Sequence, residues 1–326
     1  MIIGIFGCKN STKFLIKSLI DRTKVDHLIT INEEKGKKFN VADYCNLYHL
    51  GTKHDIDVYY SKTYSLKRKE DILYINSLKI DIAFVIGWQR IIPKEILENM
   101  SIGAFGMHGS SMDLPLGRGR SPMNWSIIED RRYFKTSLFK YDSGIDSGDV
   151  LDTVKFDITN RDTAETLHFK NTLSMHYLID KNFKKLFSNN FKLRKQKNIT
   201  PTYYPKRNPS DSLIDWELDV YAIERFIRAV TKPFNGAFTF LKNKVIIFNS
   251  QVFDTFNFGF ENKSLGEIVV VFPNGKFLIN CKGGLLLVNK YLALNDDIEV
   301  GSIFNNNNFE IKNFPKNNFG NYDLEK

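Results

Sequence analysis

DIAFVIGWQRIIPKEIL, residues 81–97, carries a strand, a turn and a helix start in one short stretch. Ile82 to Ile86 is an apolar run of strand length closed by a glycine, Gly87. Pro93 has the fixed φ that suits the first residue of a helix through Ile96 and Leu97. The same rhythm stands upstream. Ile2 to Phe6 is a buried-strand run ending at Gly7, Ser11 or Thr12 can cap a helix whose apolar face includes Leu15 and Leu19, and a second strand reads through Leu28, Ile29 and Ile31. Downstream, Ser121-Pro122 repeats the helix-start signal, and a long helix is predicted from Asp162, with Glu165 as capping-box partner, to Phe187. Strands separated by helices predict an α/β fold, a Rossmann-like doubly wound parallel sheet covered on both faces.

Working outward, the texture changes after residue 190. Residues 1–190 read as the Rossmann-like domain and 191–211, polar and basic with Pro201, Pro205 and Pro209, as a linker. Residues 212–300 read as a small β-rich, OB-like C-terminal domain. It opens on an amphipathic helix with Ile223, Phe226, Ile227 and Val230 at helical spacing. Five short strand runs follow, GAFTFL, VIIFN, EIVVVF, KFLIN and GLLLV, consistent with a small barrel or open sheet. Residues 301–326 are an Asn-rich tail without a core-forming pattern, expected to be loose.

The chain has 326 residues, a length that suits two domains, and its 42% hydrophobic content supplies a sizeable core without disulfide or metal staples. No run approaches a membrane-spanning helix, and MIIGIFGCKNSTKF lacks a basic leader and cleavage site, so a cytoplasmic protein with no membrane partner is expected. Cys8, Cys45 and Cys281 are widely spaced without nearby metal ligands and read as reduced thiols; no metal site is expected. The net charge of +9 is spread along a Lys-rich, Asn-rich chain and selects no partner by itself.

Ligands of a doubly wound sheet bind at the carboxyl ends of its strands. GIFGCKNS lacks a full dinucleotide fingerprint, which disfavours a nicotinamide enzyme. GAFGMHGSSMDLPLGRGRSPMNW, residues 103–125, is glycine-rich and places His108, Asp113, Arg118 and Arg120 before a capped helix. YDSGIDSGDV, residues 141–150, adds Asp142, Asp146 and Asp149. A histidine and an aspartate on adjacent strand-end loops can form a base and its orienter; a solvated acidic turn is the plain alternative.

Four ordered segments make the pattern specific: GWQRIIPKEIL from Gly87, GAFGMHGS through GRGRSPMNW, DSGIDSGDV from Asp142, and SLIDWELDVYAIERFIRAVTKPFNGAF from Ser212. Together they resemble the 10-formyltetrahydrofolate-dependent formyltransferases, a family that includes methionyl-tRNA formyltransferases and sugar-nucleotide N-formyltransferases. The resemblance implies that His108 and Asp146 are catalytic. It implies that Trp88, Arg90, Ile91 and Ile92, with Tyr141, Asp142, Ser143, Gly144 and Ile145, cradle the pterin of the formyl donor. Ser110 follows His108 as in the family's His-x-Ser motif. Two departures stand out. Gly106 replaces an asparagine two residues before the histidine, and the loop to the Arg-Gly pair carries about two extra residues. Losing one oxyanion donor costs about 3 kcal/mol, so a backbone N–H, Gln89 or a substrate group must take that place.

The implied acceptor is the amino group of a nucleotide-linked amino-dideoxy sugar for surface polysaccharide or glycoconjugate synthesis. The altered histidine loop suggests a UDP-linked 4-amino-4,6-dideoxyhexose of the pseudaminic-acid pathway. Arg118, Arg120 or Lys9 would meet the diphosphate. Initiator methionyl-tRNA is the alternative acceptor, although nucleic acid is not the expected partner. A non-catalytic folate- or sugar-nucleotide-binding module is a third reading, and a homodimer stays open.

Overall fold

The computed structural model describes residues 1–294, 297–306, 308–318 and 320–322. The chain divides into two compact units, one made of Met1–Gly119, Phe134–Phe156 and Phe169–Thr202, the other of Arg120–Tyr133, Asp157–His168 and Tyr203–Lys326. No helix among the described residues is long and apolar enough to cross a membrane.

The first unit begins β1 (Ile3–Phe6), α1 (Asn10–Ile20), β2 (His27–Thr30), α2 (Glu33–Lys38), α3 (Tyr48–Lys53), β3 (Asp57–Tyr60), α4 (Lys69–Ser77), β4 (Ile82–Val85), α5 (Lys94–Leu97) and β5 (Gly103–Ser110). The two-residue strand β6 (Arg118–Gly119) comes next; helix α6 (Pro122–Ile128) counts with the second unit, and the first unit resumes with β7 (Tyr133–Lys140), β8 (Val150–Asp157) and, from Phe169, the long α7 (Ala164–Phe187). Strand order is β3-β2-β1-β4-β5-β7-β8, with β1 to β5 parallel and β7 antiparallel to β5. Alternation within the strands sorts the core into two layers. Ile3, Ile5, Ile82 and Phe84 pack with Leu15, Ile16 and Leu19 of α1 and Leu178 and Ile179 of α7. Phe6, Ala83 and Val85 pack the other way, with Ile75 of α4 and Ile96 of α5. The predicted doubly wound α/β sheet is therefore present.

Two predicted helix starts differ. α1 begins at Asn10 with Lys9 as its N-cap; Thr12 stands at the third helical position, where its hydroxyl accepts from the Lys9 N–H at 3.2 Å and donates to the Ile86 carbonyl at 2.5 Å. α7 begins at Ala164, where Thr163 and Thr166 cap each other's backbone N–H at 3.3 and 2.9 Å. Asp162 instead turns back to accept from the Thr159 N–H at 2.7 Å, so Glu165 is not its partner.

In the second unit, α8 (Val220–Val230) is capped by Asp219, which accepts from the N–H groups of Tyr221 and Ala222. The two-residue strand β9 (Tyr203–Tyr204) precedes it. The five expected strands are β10 (Ala237–Phe240), β11 (Lys244–Asp254), β12 (Ile268–Val271), β13 (Phe277–Cys281) and β14 (Gly284–Ala293), in an antiparallel sheet of order β10-β11-β14-β13-β12.

The start of the tail is not loose. Ile303 bridges Glu267 beside β12, and Asn305 bridges Phe240 of β10, with N–H to carbonyl distances of 2.8 Å (Ile268 to Ser302) and 2.9 Å (Asn305 to Phe240). The tail thus links the two edges of the sheet and satisfies backbone groups that would otherwise face solvent. Farther on, the rings of Phe314 and Tyr322 lie 4.8 and 4.7 Å from that of Trp125. Glu129 accepts from Lys316 Nζ at 2.6 Å and from the Tyr322 hydroxyl at 2.8 Å.

Candidate active site

Val85 at the end of β4 pairs with Gly106, so Met107 to Ser110 of β5 run beyond β4 and are held by β7 alone. His108 stands on that extension, 8% exposed. Its Nδ1 lies 3.3 Å from Asp146 Oδ2, and its Nε2 lies 2.8 Å from the Gly117 carbonyl. A carbonyl oxygen only accepts, so Nε2 carries a proton in this arrangement. Both ring nitrogens face acceptors, and a substrate amine that is to reach Nε2 must displace the Gly117 carbonyl.

Asp146 is fixed from several directions. It sits at φ +50°, a left-handed conformation that Asp tolerates better than most residues. Its carboxylate also faces the Gly119 N–H at 3.3 Å. Gln196 Nε2 donates to the carbonyls of Asp146 and Gly148, both at 2.8 Å, while its Oε1 accepts from Arg118 at 2.7 Å. A Cβ on Gly148 would come within 1.7 Å of the Lys140 carbonyl oxygen, so the turn closes this tightly only on glycine.

The segments assigned to the pterin divide by burial. Trp88 and Ile92 are buried in the core layer of Phe6 and Val85, whereas Ile91 is exposed. Arg90 lies over the ring of Tyr64 at 4.7 Å and over that of Phe39 at 5.7 Å. Asp142, Ser143, Gly144 and Ile145 form an exposed turn in which Asp142 accepts from the Gly144 N–H at 2.9 Å. Tyr141 is half-buried and stacks on Phe139 at 5.1 Å. Burial, then the nearby Asp146 carboxylate, push its phenol above the usual range, so it stays protonated.

The residues assigned to the diphosphate are placed differently from one another. Arg118 is buried and bonded to Gln196. Arg120 is exposed and belongs to the second unit. Lys9 stands just after β1 as the cap of α1. The Ser110 hydroxyl is buried and accepts from the Met112 N–H at 3.2 Å, closing the loop after the histidine. Among the described residues no group of three or more His, Cys, Asp or Glu is placed to hold a metal.

Sequence reasoning did not single out Gln196 or Thr202. The Thr202 hydroxyl accepts from the Gly117 N–H at 2.8 Å, and its carbonyl accepts from the Arg118 N–H at 2.9 Å. Both residues lie in a polar stretch whose pattern carries no partner information. A pair of bonds to the histidine loop is visible only once the chain is folded.

Residues 34–178 match the family described as "Formyl transferase", and residues 206–308 match "Formyl transferase, C-terminal domain". The bifunctional polymyxin resistance protein ArnA of Wigglesworthia glossinidia brevipalpis is 33% identical over 71% of this chain, which spans only 34% of that longer protein. The methionyl-tRNA formyltransferase of Rickettsia massiliae is 31% identical over 84% of this chain and 86% of its own length. Among solved structures, the Helicobacter canadensis N-formyltransferase in complex with folinic acid and dTDP-3-aminofucose superposes with a TM-score of 0.63. It is 21% identical, over 90% of this chain and 100% of that one. The chain belongs to the formyl transferase family: it is a formyltransferase, of the class whose one-carbon donor is 10-formyltetrahydrofolate.

Proposed function

We propose that this enzyme transfers the formyl group of 10-formyltetrahydrofolate to the amino group of a nucleotide-linked amino-dideoxy sugar, with His108 and Asp146 as its catalytic pair. The observation that carries the chemistry is the 3.3 Å approach of the His108 ring to the Asp146 carboxylate at the open end of β5. A flat heteroaromatic donor with polar edges suits the neighbouring segments. Trp88 Nε1 is buried with no acceptor among the described residues, and the turn at 142–145 is exposed.

A protonated amine cannot attack a carbonyl. With the Gly117 carbonyl displaced and the ring's single proton moved from Nε2 to Nδ1, where it faces Asp146, the bare His108 Nε2 takes a proton from the amine as the amine nitrogen bonds to the formyl carbon. Positioned bases of this kind contribute about 10²–10⁴-fold. Asp146 holds the ring and stabilises it while it carries the extra proton, as carboxylates do in other base–orienter pairs. The carbon–nitrogen bond to the folate then breaks, and the proton passes to the departing nitrogen.

A sugar acceptor is supported by the lengthened loop between His108 and Arg118 and by the structural neighbour that binds dTDP-3-aminofucose. Within that class a UDP-linked 4-amino-4,6-dideoxyhexose is the first candidate, with surface polysaccharide or glycoconjugate synthesis in the cytoplasm as its setting. Methionyl-tRNA is the second reading, favoured by the Rickettsia relative. An assay with 10-formyltetrahydrofolate against UDP-, dTDP- and GDP-linked amino sugars and methionyl-tRNA decides between them. Formylation of a sugar nucleotide with shallow salt dependence is the expected result. Transfer to the tRNA alone, falling steeply with salt, refutes the sugar reading. Tight folate binding without any transfer refutes the enzyme.

A further inference from the structure

The strand carrying the histidine has an empty position facing the site, and a neighbouring strand fills it. In the β5–β7 register, Gly106 opposes Phe139 and His108 opposes Ser137. One pair further along, the Tyr141 N–H donates to the Ala104 carbonyl at 2.8 Å. Side chains two residues apart on a strand share a face, and directly opposed residues do too, so Gly106, His108, Phe139 and Tyr141 lie on one side of the sheet. Tyr141 is the diagonal neighbour of Gly106, and its ring covers the glycine. A Cβ on Gly106 would meet Tyr141 Cε2 at 2.1 Å and Cζ at 2.9 Å. Any side chain at position 106 is excluded while the ring is there.

That hydroxyl has no hydrogen-bond partner among the described residues. Two features make it a donor rather than a base: burial, and a carboxylate neighbour that it does not bond, both of which hold the proton on the phenol. A strand glycine often marks close approach of another group. Here the group that approaches brings a fixed O–H to the face that carries His108.

We propose that Tyr141 is a further catalytic residue, its hydroxyl donating a hydrogen bond to the formyl oxygen as that oxygen gains negative charge. It thereby supplies from β7 the donor that Gly106 cannot supply from β5. The proposal rests on the formyl-transfer reading above and assigns one residue within it. No proton leaves the tyrosine: the hydroxyl donates while the amine–carbon bond forms and while the carbon–nitrogen bond to the folate breaks. Gln89, the other side chain considered for this role, is exposed and shows no bond to the histidine loop.

Tyr141→Phe keeps the ring over Gly106 and removes only the oxygen. The expected result is a fall in kcat of about 10²-fold or more. KM for the acceptor, the Kd for folinic acid by calorimetry, and the thermal midpoint should all stay near wild type. A kcat within about threefold of wild type overturns the proposal, and so does a loss seen mainly in folinic-acid affinity, which would make the hydroxyl a pterin contact. A second comparison tests the place of the donor: Tyr141→Ala vacates the space, and Gly106→Asn with Tyr141→Ala refills it from β5. The double variant is expected to regain at least tenfold over Tyr141→Ala. A folded double variant no faster than the single refutes the equivalence. Wild-type protein inert on every amine would sink the formyl-transfer reading itself, whereas an active wild type with an equally active Tyr141→Phe sinks only this assignment.

Discussion

Replacing Asp146 by asparagine tests the catalytic pair with little disturbance to the fold. The amide oxygen of Asn can still face the Gly119 N–H, and the Gln196 bonds go to backbone carbonyls that the substitution leaves in place. What disappears is a negative charge 3.3 Å from His108 Nδ1 at the moment the ring carries an extra proton. At an effective dielectric of ~20 a charge pair at that distance interacts by about 5 kcal/mol. Each 1.36 kcal/mol is a decade in rate, so turnover is expected to fall by about three to four decades. Folate affinity should change little, because the carboxylate acts on the imidazole. Stopped-flow absorbance of tetrahydrofolate release gives the rate, and calorimetry with folinic acid gives the affinity. Turnover within tenfold of wild type in a folded Asp146→Asn protein would show that the carboxylate does not stabilise the charged ring, and the pair would have to be abandoned.

Glu129 is half-buried in the second unit; burial raises its carboxyl, but the bonds from Lys316, Tyr322 and Tyr204 outweigh that and hold it below the usual range. A depressed acid contributes stability above its unfolded value and loses it as pH falls through the folded one. Glu129→Gln should therefore lower the melting temperature at pH 7 by several degrees and flatten the acid limb between about pH 5 and 3, read by calorimetry. Deleting residues 302–326 removes the link between β10 and β12; faster amide exchange on both edge strands is expected, and unchanged protection would contradict the closing role. Burial pushes all three thiols up, that of Cys281 to about 12, but Cys45 is only half-buried while Cys8 and Cys281 are buried, so iodoacetamide at pH 7.5 should label Cys45 first, and rapid labelling of Cys281 in native protein would count against the described burial.

The parallel sheet was readable because each buried strand is a short apolar run closed by a turn residue, as at Phe6-Gly7 and Ile86-Gly87, and the five C-terminal strands for the same reason. The candidate pair was legible as two glycine-rich turns with the right side chains, sharpened by resemblance. Three features were not. The ring of Tyr141 over Gly106 depends on the β5–β7 register, which no local pattern states. Gln196 and Thr202 act through a few polar bonds from a stretch with no periodicity. Residues 302–305 join the sheet through backbone groups, and the Asn run that begins at Asn305 gave no sign of it. Thr12, expected as a cap, holds a second role that the sequence did not show: besides accepting from the Lys9 N–H, its hydroxyl donates to the Ile86 carbonyl, 74 residues away.

The bonds from Gln196 also bear on how small a working catalyst can be cut from this chain. A fragment ending near residue 190, where the periodic signal stops, would keep every strand of the seven-stranded sheet yet leave the Asp146 and Gly148 carbonyls and the Arg118 guanidinium without that amide. Minimal versions intended for engineering should run at least through Thr202, and grafts of the histidine loop onto other scaffolds should bring residues 194–202 along as its splint.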